Sequence, residues 1–458
     1  NSSEGVALQI SEWLGMGDWR LMFLDRDRLE KVTVEQVQTA AEEYLVNDNR
    51  ALGLFLPEQK PDRADTIKRY TVAEVRDMVK GYEGREAVAQ GEDFDPSFDN
   101  IDARTERKTL AGGAKVAYIN KKTRGESVVV RVNLDMGNTE ALHNLATIGS
   151  MTASMLQRGT QRLDRKALQA EFDKLKANVS VSGSARGANA SITTTKANLP
   201  KVIALLDEVL KTPAFSQEEL DVLKQERIVS LEQQKQQPQS QVFRQLGKHT
   251  NVYEPGHPRY QLTIDEEINA IKSVTVQDMK DFHADFYGAQ DADISIVGDF
   301  NVDATMAALD KSLGNWNSQV AYKRVPAEFS QVDAINKFID TPDKAGAAFG
   351  AMVLLPISDD HADYPAIFMA NQMLGGGFIS SRLANRLRQK DGLSYGAGSF
   401  LQASSYDERT ILGAYAICAP ENLNKVEVAF KEEMEKVIAE GFTQQELDDA
   451  KKGVLQNN

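Results

Sequence analysis

Two motifs occur twice in this chain, in the same order. Asn198-Leu199-Pro200-Lys201-Val202 precedes Phe215-Ser216-Gln217-Glu218-Glu219-Leu220-Asp221, and Asn422-Leu423-Asn424-Lys425-Val426 precedes Phe442-Thr443-Gln444-Gln445-Glu446-Leu447-Asp448. Phe215 and Phe442 lie 227 positions apart. That spacing is far longer than a solenoid unit, so the repeated object is a whole domain. A second, looser pair agrees. Thr33-Val34-Glu35-Gln36 reads as a capping box, with Val37, Ala40, Ala41, Tyr44 and Leu45 on one face of the helix it opens; Ala51 to Leu56 then reads as a strand. Val274-Thr275-Val276-Gln277 opens a helix carrying Met279, Phe282 and Phe286, Gly288 stops it, and Ile294 to Val297 reads as a strand.

The repeats partition the chain. Residues 1–58 are expected to be the tail of a preceding αβ repeat, and 59–105 a linker with one helix over 71–82. Residues 106–323 form a complete repeat, and 324–458 a last repeat that stops in a helical region, so both ends are expected to fall inside domains of a longer polypeptide. Within 106–323, Lys115 to Ile119 and Ser127 to Leu134 alternate as strands, Asn144 to Gln157 and Arg165 to Lys176 read as helices, and Val179 to Thr195 alternate again. The stretch from Gln233 to Gln241 reads as polar helix. Strands mixed with helix pairs, rather than strict alternation, define an α+β class: tandem αβ domains, each an antiparallel or mixed sheet with helices on one face.

A formal charge of −14 argues against a nucleic-acid surface, which needs clustered Lys and Arg. No apolar run reaches the roughly 18 residues of a membrane span. Cys418 is the single cysteine, which excludes an intrachain disulfide and a cysteine zinc cage. Gly375-Gly376-Gly377 lacks the following Lys of a phosphate loop and reads as a helix C-terminal turn. No Ser/His/acid arrangement for a nucleophilic hydrolase stands out.

Thr109-Leu110-Ala111-Gly112-Gly113-Ala114-Lys115-Val116 resembles the opening strand of a pitrilysin/insulinase-type domain. Leu374-Gly375-Gly376-Gly377 with Ser381-Arg382-Leu383, followed by Leu387-Arg388-Gln389-Lys390-Asp391-Gly392-Leu393-Ser394-Tyr395, resembles the signature of that family's last domain. The resemblance implies four related αβ domains closing over a peptide, with zinc held in the first by an inverted H-x-x-E-H motif. Here the matching position reads Ser150-Met151-Thr152-Ala153-Ser154, so this repeat is expected to hold no metal. Glu232, near the usual third-ligand position, reads as a solvated helix residue. His143, His249, His257, His283 and His361 include no i, i+4 pair.

By the same resemblance, Arg388 and Tyr395 match the arginine and tyrosine that reach from the last domain toward the zinc site. A guanidinium offers forked donors to peptide carbonyls, and a phenol can donate to a developing oxyanion. The expected function is the non-catalytic C-terminal half of a zinc metalloendopeptidase, inactive alone. Its partners are a peptide substrate and an N-terminal catalytic half that supplies zinc, and its compartment the periplasm. The alternative is a catalytically silent assembly subunit.

Overall fold

The computed structural model describes residues 3–46, 71–82, 90–341, 344–377 and 380–457. They fall into two compact units, Asn1–Val88 and Ala89–Asn458. The expected strand over 51–56 lies outside the described residues.

The first unit holds α1 (Ser3–Gly15), α2 (Leu21–Leu29), α3 (Val34–Tyr44) and α4 (Val72–Met78). The capping box at Thr33 forms with Gln36 as expected, and a second one pairs Thr71 with Glu74. Helix α4 is shorter than the span expected over 71–82. Val75 on it and Val79 at its C-cap are buried, and Gly17 leaves the room that Val75 fills. On α3, however, Val37 and Tyr44 are exposed, so the apolar face read from the sequence forms but does not enter a core among the described residues.

The second unit opens with α5 (Phe98–Arg104) and builds two sheets. The first contains β1 (Glu106–Thr109), β2 (Lys115–Asn120), β3 (Ser127–Asp135), β4 (Asn178–Ser184), β5 (Gly187–Thr195) and β6 (Ala292–Gly298), in the spatial order β1-β2-β6-β3-β5-β4. All pairings are antiparallel except β2 with β6. Burial alternates strictly along β6 and nearly so along β3 and β5. That period of two marks a sheet with one packed face and one open face. The packed face is covered by α6 (Ala146–Met155), α8 (Leu199–Lys211) and α12 (Val276–Phe286), whose Met151, Met155, Leu206, Val209 and Phe282 join Val130, Val132, Ile192 and Ile294 in one core. Helices α7 (Arg165–Lys174), α9 (Gln217–Lys235), α10 (Pro238–His249), α11 (Ile264–Ser273) and α13 (Val302–Leu313) complete the layer sequence.

The polar stretch expected as one helix over 233–241 is two. Helix α9 ends at Lys235, and Pro238 starts α10 at its first turn. The residue before a proline is pushed out of helical conformation, and Gln237 is extended at φ −103°, ψ 116°. This break lets α10 leave the first sheet's layer and lie on the second. Gly350 has no side chain there, and a Cβ would come within 2.4 Å of Val242.

The second sheet contains β7 (Ala347–Leu355), β8 (Ser394–Ala403) and β9 (Thr410–Cys418) in the order β7-β9-β8, all antiparallel. Helices α14 (Tyr364–Asn371), α15 (Arg382–Ala384), α16 (Leu423–Glu440) and α17 (Gln444–Asn457) accompany it. The repeated motifs hold equivalent places in chain order. Asn198 and Asn422 precede α8 and α16 after a hairpin, while Phe215 and Phe442 precede α9 and α17. Each motif carries a glutamate four residues after its Phe, and each binds an arginine: Arg158 reaches Glu219 at 3.1 Å and Arg382 reaches Glu446 at 2.6 Å.

Helix α6 approaches the turn after β4 so closely that a Cβ on Gly149 would sit 2.4 Å from the Ala185 Cα. Alanine is the better helix former by about 1 kcal/mol. Overlap with backbone outweighs that gain, so Gly149→Ala is expected to cost a net ~1–3 kcal/mol, read as a lower urea midpoint at unchanged slope.

Candidate functional site

Ser150–Ser154, the segment that by resemblance stands at the metal motif, lies in the second half of α6. Met151 and Ala153 face the core, and the buried Thr152 hydroxyl donates to the Ile148 carbonyl at 2.8 Å. Ser154 donates to the Ser150 carbonyl, and its hydroxyl accepts a 2.7 Å hydrogen bond from Arg227. A guanidinium beside two hydroxyls repels a cation. These residues therefore do not fit zinc, and no group of three His, Cys, Asp or Glu suited to a metal occurs among the described residues. Glu232 is exposed on α9. The histidines are engaged elsewhere: His249 and His283 reach the Asp333 and Leu210 carbonyls, and His257 stacks on Tyr253 at 4.2 Å.

The segment resembling the last-domain signature folds as a series of tight turns. Helix α14 runs into a π-helical turn over Gln372–Gly376, closed by the Gly377 N–H on the Gln372 carbonyl at 2.8 Å. The glycine triplet thus lies at a helix C-terminus, as expected. Gly375 meets β8 so closely that a Cβ would lie 2.3 Å from the Ser399 nitrogen. Ser399 in turn donates to the Asn371 side-chain oxygen at 2.7 Å, a buried polar pair that fixes α14 on the sheet.

Arg382 anchors the next turn. Its guanidinium donates to both Glu446 oxygens, at 2.6 and 2.9 Å, and to the Gly441 carbonyl at 2.8 Å, while lying 4.7 Å from the Phe442 ring centre. The hydrogen bond from Arg382 holds the Glu446 carboxyl down at about 2. A second π-helical turn covers Asn385–Lys390, with the Asp391 N–H on the Arg386 carbonyl at 3.1 Å. Arg386 joins Asp391 and Glu432, each at 2.7 Å. Sequence reading singled out neither Arg382 nor Arg386 as an anchor, because their acidic partners Glu446 and Glu432 lie far along the chain.

Arg388 sits on this π-helical turn, exposed and with no ion pair among the described residues. Tyr395 sits at a bulge in β8, where the register with β9 shifts between Ser394 and Gly396. Buried Ser394 holds the bulge, its hydroxyl 2.7 Å from the Ile417 carbonyl and accepting from the Gly396 N–H. A bulge re-aims the side chain it carries, and Tyr395 is 71% exposed. The fold thus presents Arg388 and Tyr395 to solvent from two locally irregular elements, the residues seven positions apart in sequence.

The α+β sheet-and-helix architecture, without a metal ligand at Ser150–Ser154, is compatible with a non-catalytic domain of the zinc-peptidase type. Residues 115–257 match insulinase (peptidase family M16), residues 273–454 match the peptidase M16 inactive domain, and the chain belongs to this family. Among characterised relatives, it is 24% identical to mitochondrial-processing peptidase subunit beta of Caenorhabditis elegans over 327 residues, 69% of each chain. It is also 24% identical to the non-peptidase homolog YmxG of Helicobacter pylori over 314 residues, 68% of this chain and 70% of that one. A peptidase M16 inactive domain from Pseudomonas fluorescens shares the fold at a TM-score of 0.66 and 24% identity, covering 77% of this chain and 84% of its own. The periplasmic protease PqqL from Escherichia coli shares it at 0.61 and 14% identity, over 93% of this chain and 44% of that longer one.

The Arg382–Glu446 pair makes stability depend on acid in a defined direction. The folded value of Glu446 is depressed from 4.5 to about 2, so its contribution is complete above 4.5 and is lost as pH falls toward about 2. In urea melts, Glu446→Gln is expected to be less stable than the parent at about pH 6, and the gap is expected to close on acidification.

Proposed function

We propose that this chain is a non-catalytic half of a zinc-dependent metalloendopeptidase. It closes over a peptide and positions it for cleavage at a zinc site carried by another repeat of the family, and it cleaves nothing alone. The observation that carries this reading is the pair Arg388 and Tyr395: both match the last-domain signature, both are exposed, and neither is used in the described packing. The fold correspondence with PqqL, in which this chain matches 44% of a longer polypeptide, supports a half-molecule role, and a periplasmic setting is proposed on the same likeness.

In this role the Arg388 guanidinium grips a peptide carbonyl with its fork, which a lysine cannot reproduce. The Tyr395 hydroxyl donates to the oxygen that becomes anionic as the peptide bond is attacked. Because the second interaction strengthens in the transition state, it accelerates the chemistry more than it tightens binding. The similarity to YmxG, described as a non-peptidase homolog, favours a second reading in which the chain is a silent assembly subunit.

Turnover separates the two. With the zinc-bearing repeat present, Tyr395→Phe is expected to lower kcat by ~10²- to 10³-fold, the usual loss for one oxyanion donor, with a smaller change in peptide affinity. Unchanged kcat in Tyr395→Phe and in Arg388→Lys, with chemistry rate-limiting, would leave the silent-subunit reading.

A further inference from the structure

A cavity of about 630 Å³ lies at the seam where the two sheets of the second unit meet. Its walls bring together arginines from four separate places. Arg186 stands in the turn between β4 and β5, which is pinned to the end of β3 by the Met136 N–H on the Arg186 carbonyl at 3.2 Å. Arg259 follows α10, and its Nε and a terminal nitrogen both donate to the Val325 carbonyl, at 3.1 and 2.7 Å. Arg324 and Arg409 come from the segment between the sheets and from the turn before β9.

One of these charges is matched. Arg324 places a fork on both oxygens of Asp407, at 2.7 and 2.8 Å, and Asp407 also accepts the Ala327 N–H. Both oxygens of that carboxylate are engaged. The side chains of Arg186 and Arg409 make no hydrogen bond or ion pair among the described residues, and Arg259 spends its donors on a neutral carbonyl. All three are half-buried. Burial, with Arg186 adding to it, pushes the Arg259 guanidinium below its ordinary value. Partly desolvated like charges that make no ion pair of their own, with Asp407 already forked by Arg324, are costly to hold together. An arginine fork is the side chain best shaped to hold a carboxylate in two parallel hydrogen bonds.

Asp135 and Asp293 line the same cavity and limit the charge it accepts. Burial pushes the Asp135 carboxyl upward, against a Tyr322 hydrogen bond that lowers it and with Asp293 adding to the rise, and no arginine pairs with it among the described residues. Their presence disfavours a doubly charged phosphate relative to a singly charged carboxylate.

We propose that this seam binds a carboxylate of a peptide held by the protein, gripped by Arg186 and Arg259. The inference rests on the peptide-positioning function above and gives that function a substrate preference. Two sources share the chemistry, the peptide's C-terminal carboxylate and an acidic side chain.

Fluorescence anisotropy of the whole chain with labelled short peptides tests it. The peptides are one with a free C-terminus, its amide, and the amide with one internal Gln replaced by Glu. The parent is expected to bind at least one carboxylate form ~10-fold more tightly than the neutral amide, the scale of a charge-assisted fork. A preference for the free acid assigns the C-terminus, and one for the Glu peptide assigns a side chain. Arg186→Gln is expected to erase the preference without lowering the melting temperature, since it removes a repelling charge that makes no hydrogen bond. Arg259→Lys, which keeps the charge but loses the fork, is expected to weaken it. Equal binding of all three peptides, or a preference that survives Arg186→Gln, overturns the proposal and leaves the positioning function standing. Binding of none overturns both.

Discussion

Strand β6 enters the first sheet between β2 and β3, far along the chain from either neighbour. Ile294 and Ile296 are almost fully buried there. With β2 the strand pairs in parallel, with β3 antiparallel. A parallel neighbour cannot be reached by a hairpin and needs a long crossover. Everything from α6 to α12 is that crossover, extended by the hairpin β4–β5. One pairing therefore dictates that the helices gather on a single face and that the other face stays open. It also gives the domain its non-local character, since the β1–β2 and β3–β5–β4 parts of the sheet are joined only when residues 292–298 return.

Joining the two sheets requires a helix to change layers. Pro238 ends one helical run and starts another, and the second run lies on β7 through the gap at Gly350. Phe243 on α10 meets Phe400 edge-on at 5.8 Å, tying β8 to the same contact. The Arg324–Asp407 fork then bridges the linking segment to the turn before β9. The seam that carries the unmatched arginines is thus a by-product of how the layers are fastened, held in shape by contacts that the arginines Arg186 and Arg409 do not themselves make.

Much of this was legible in the residues because local rules and global fold agree. The capping box at Thr33 forms as read, the helix read as opening at Val274–Gln277 starts there with a box of its own at Thr275, and the alternation in Ser127 to Leu134 is the burial pattern of that strand. Where Gln233 to Gln241 was read as one helix, composition outweighed the proline, and the proline won. The open apolar face of α3 shows that helical periodicity fixes a face without fixing its cover. The exposed Arg388 and Tyr395 were reached only through resemblance to a known segment. Neither the π-helical turn nor the β8 bulge that holds them leaves a period in the sequence. The arginine seam was not legible at all: Arg186 and Arg259 lie on different layers, and only tertiary packing brings them together.

Cys418 closes β9 at the centre of the second sheet, between Ala347 and Ser394, fully buried, and burial pushes its thiol upward. As the chain's lone sulfhydryl, it works as a spectator embedded in one layer. Thiol reagents can alkylate it only when the core it shares with α16 and the glycine-rich turns opens. The rate of its modification is accordingly a clock for that second core, separate from the core of the six-stranded sheet.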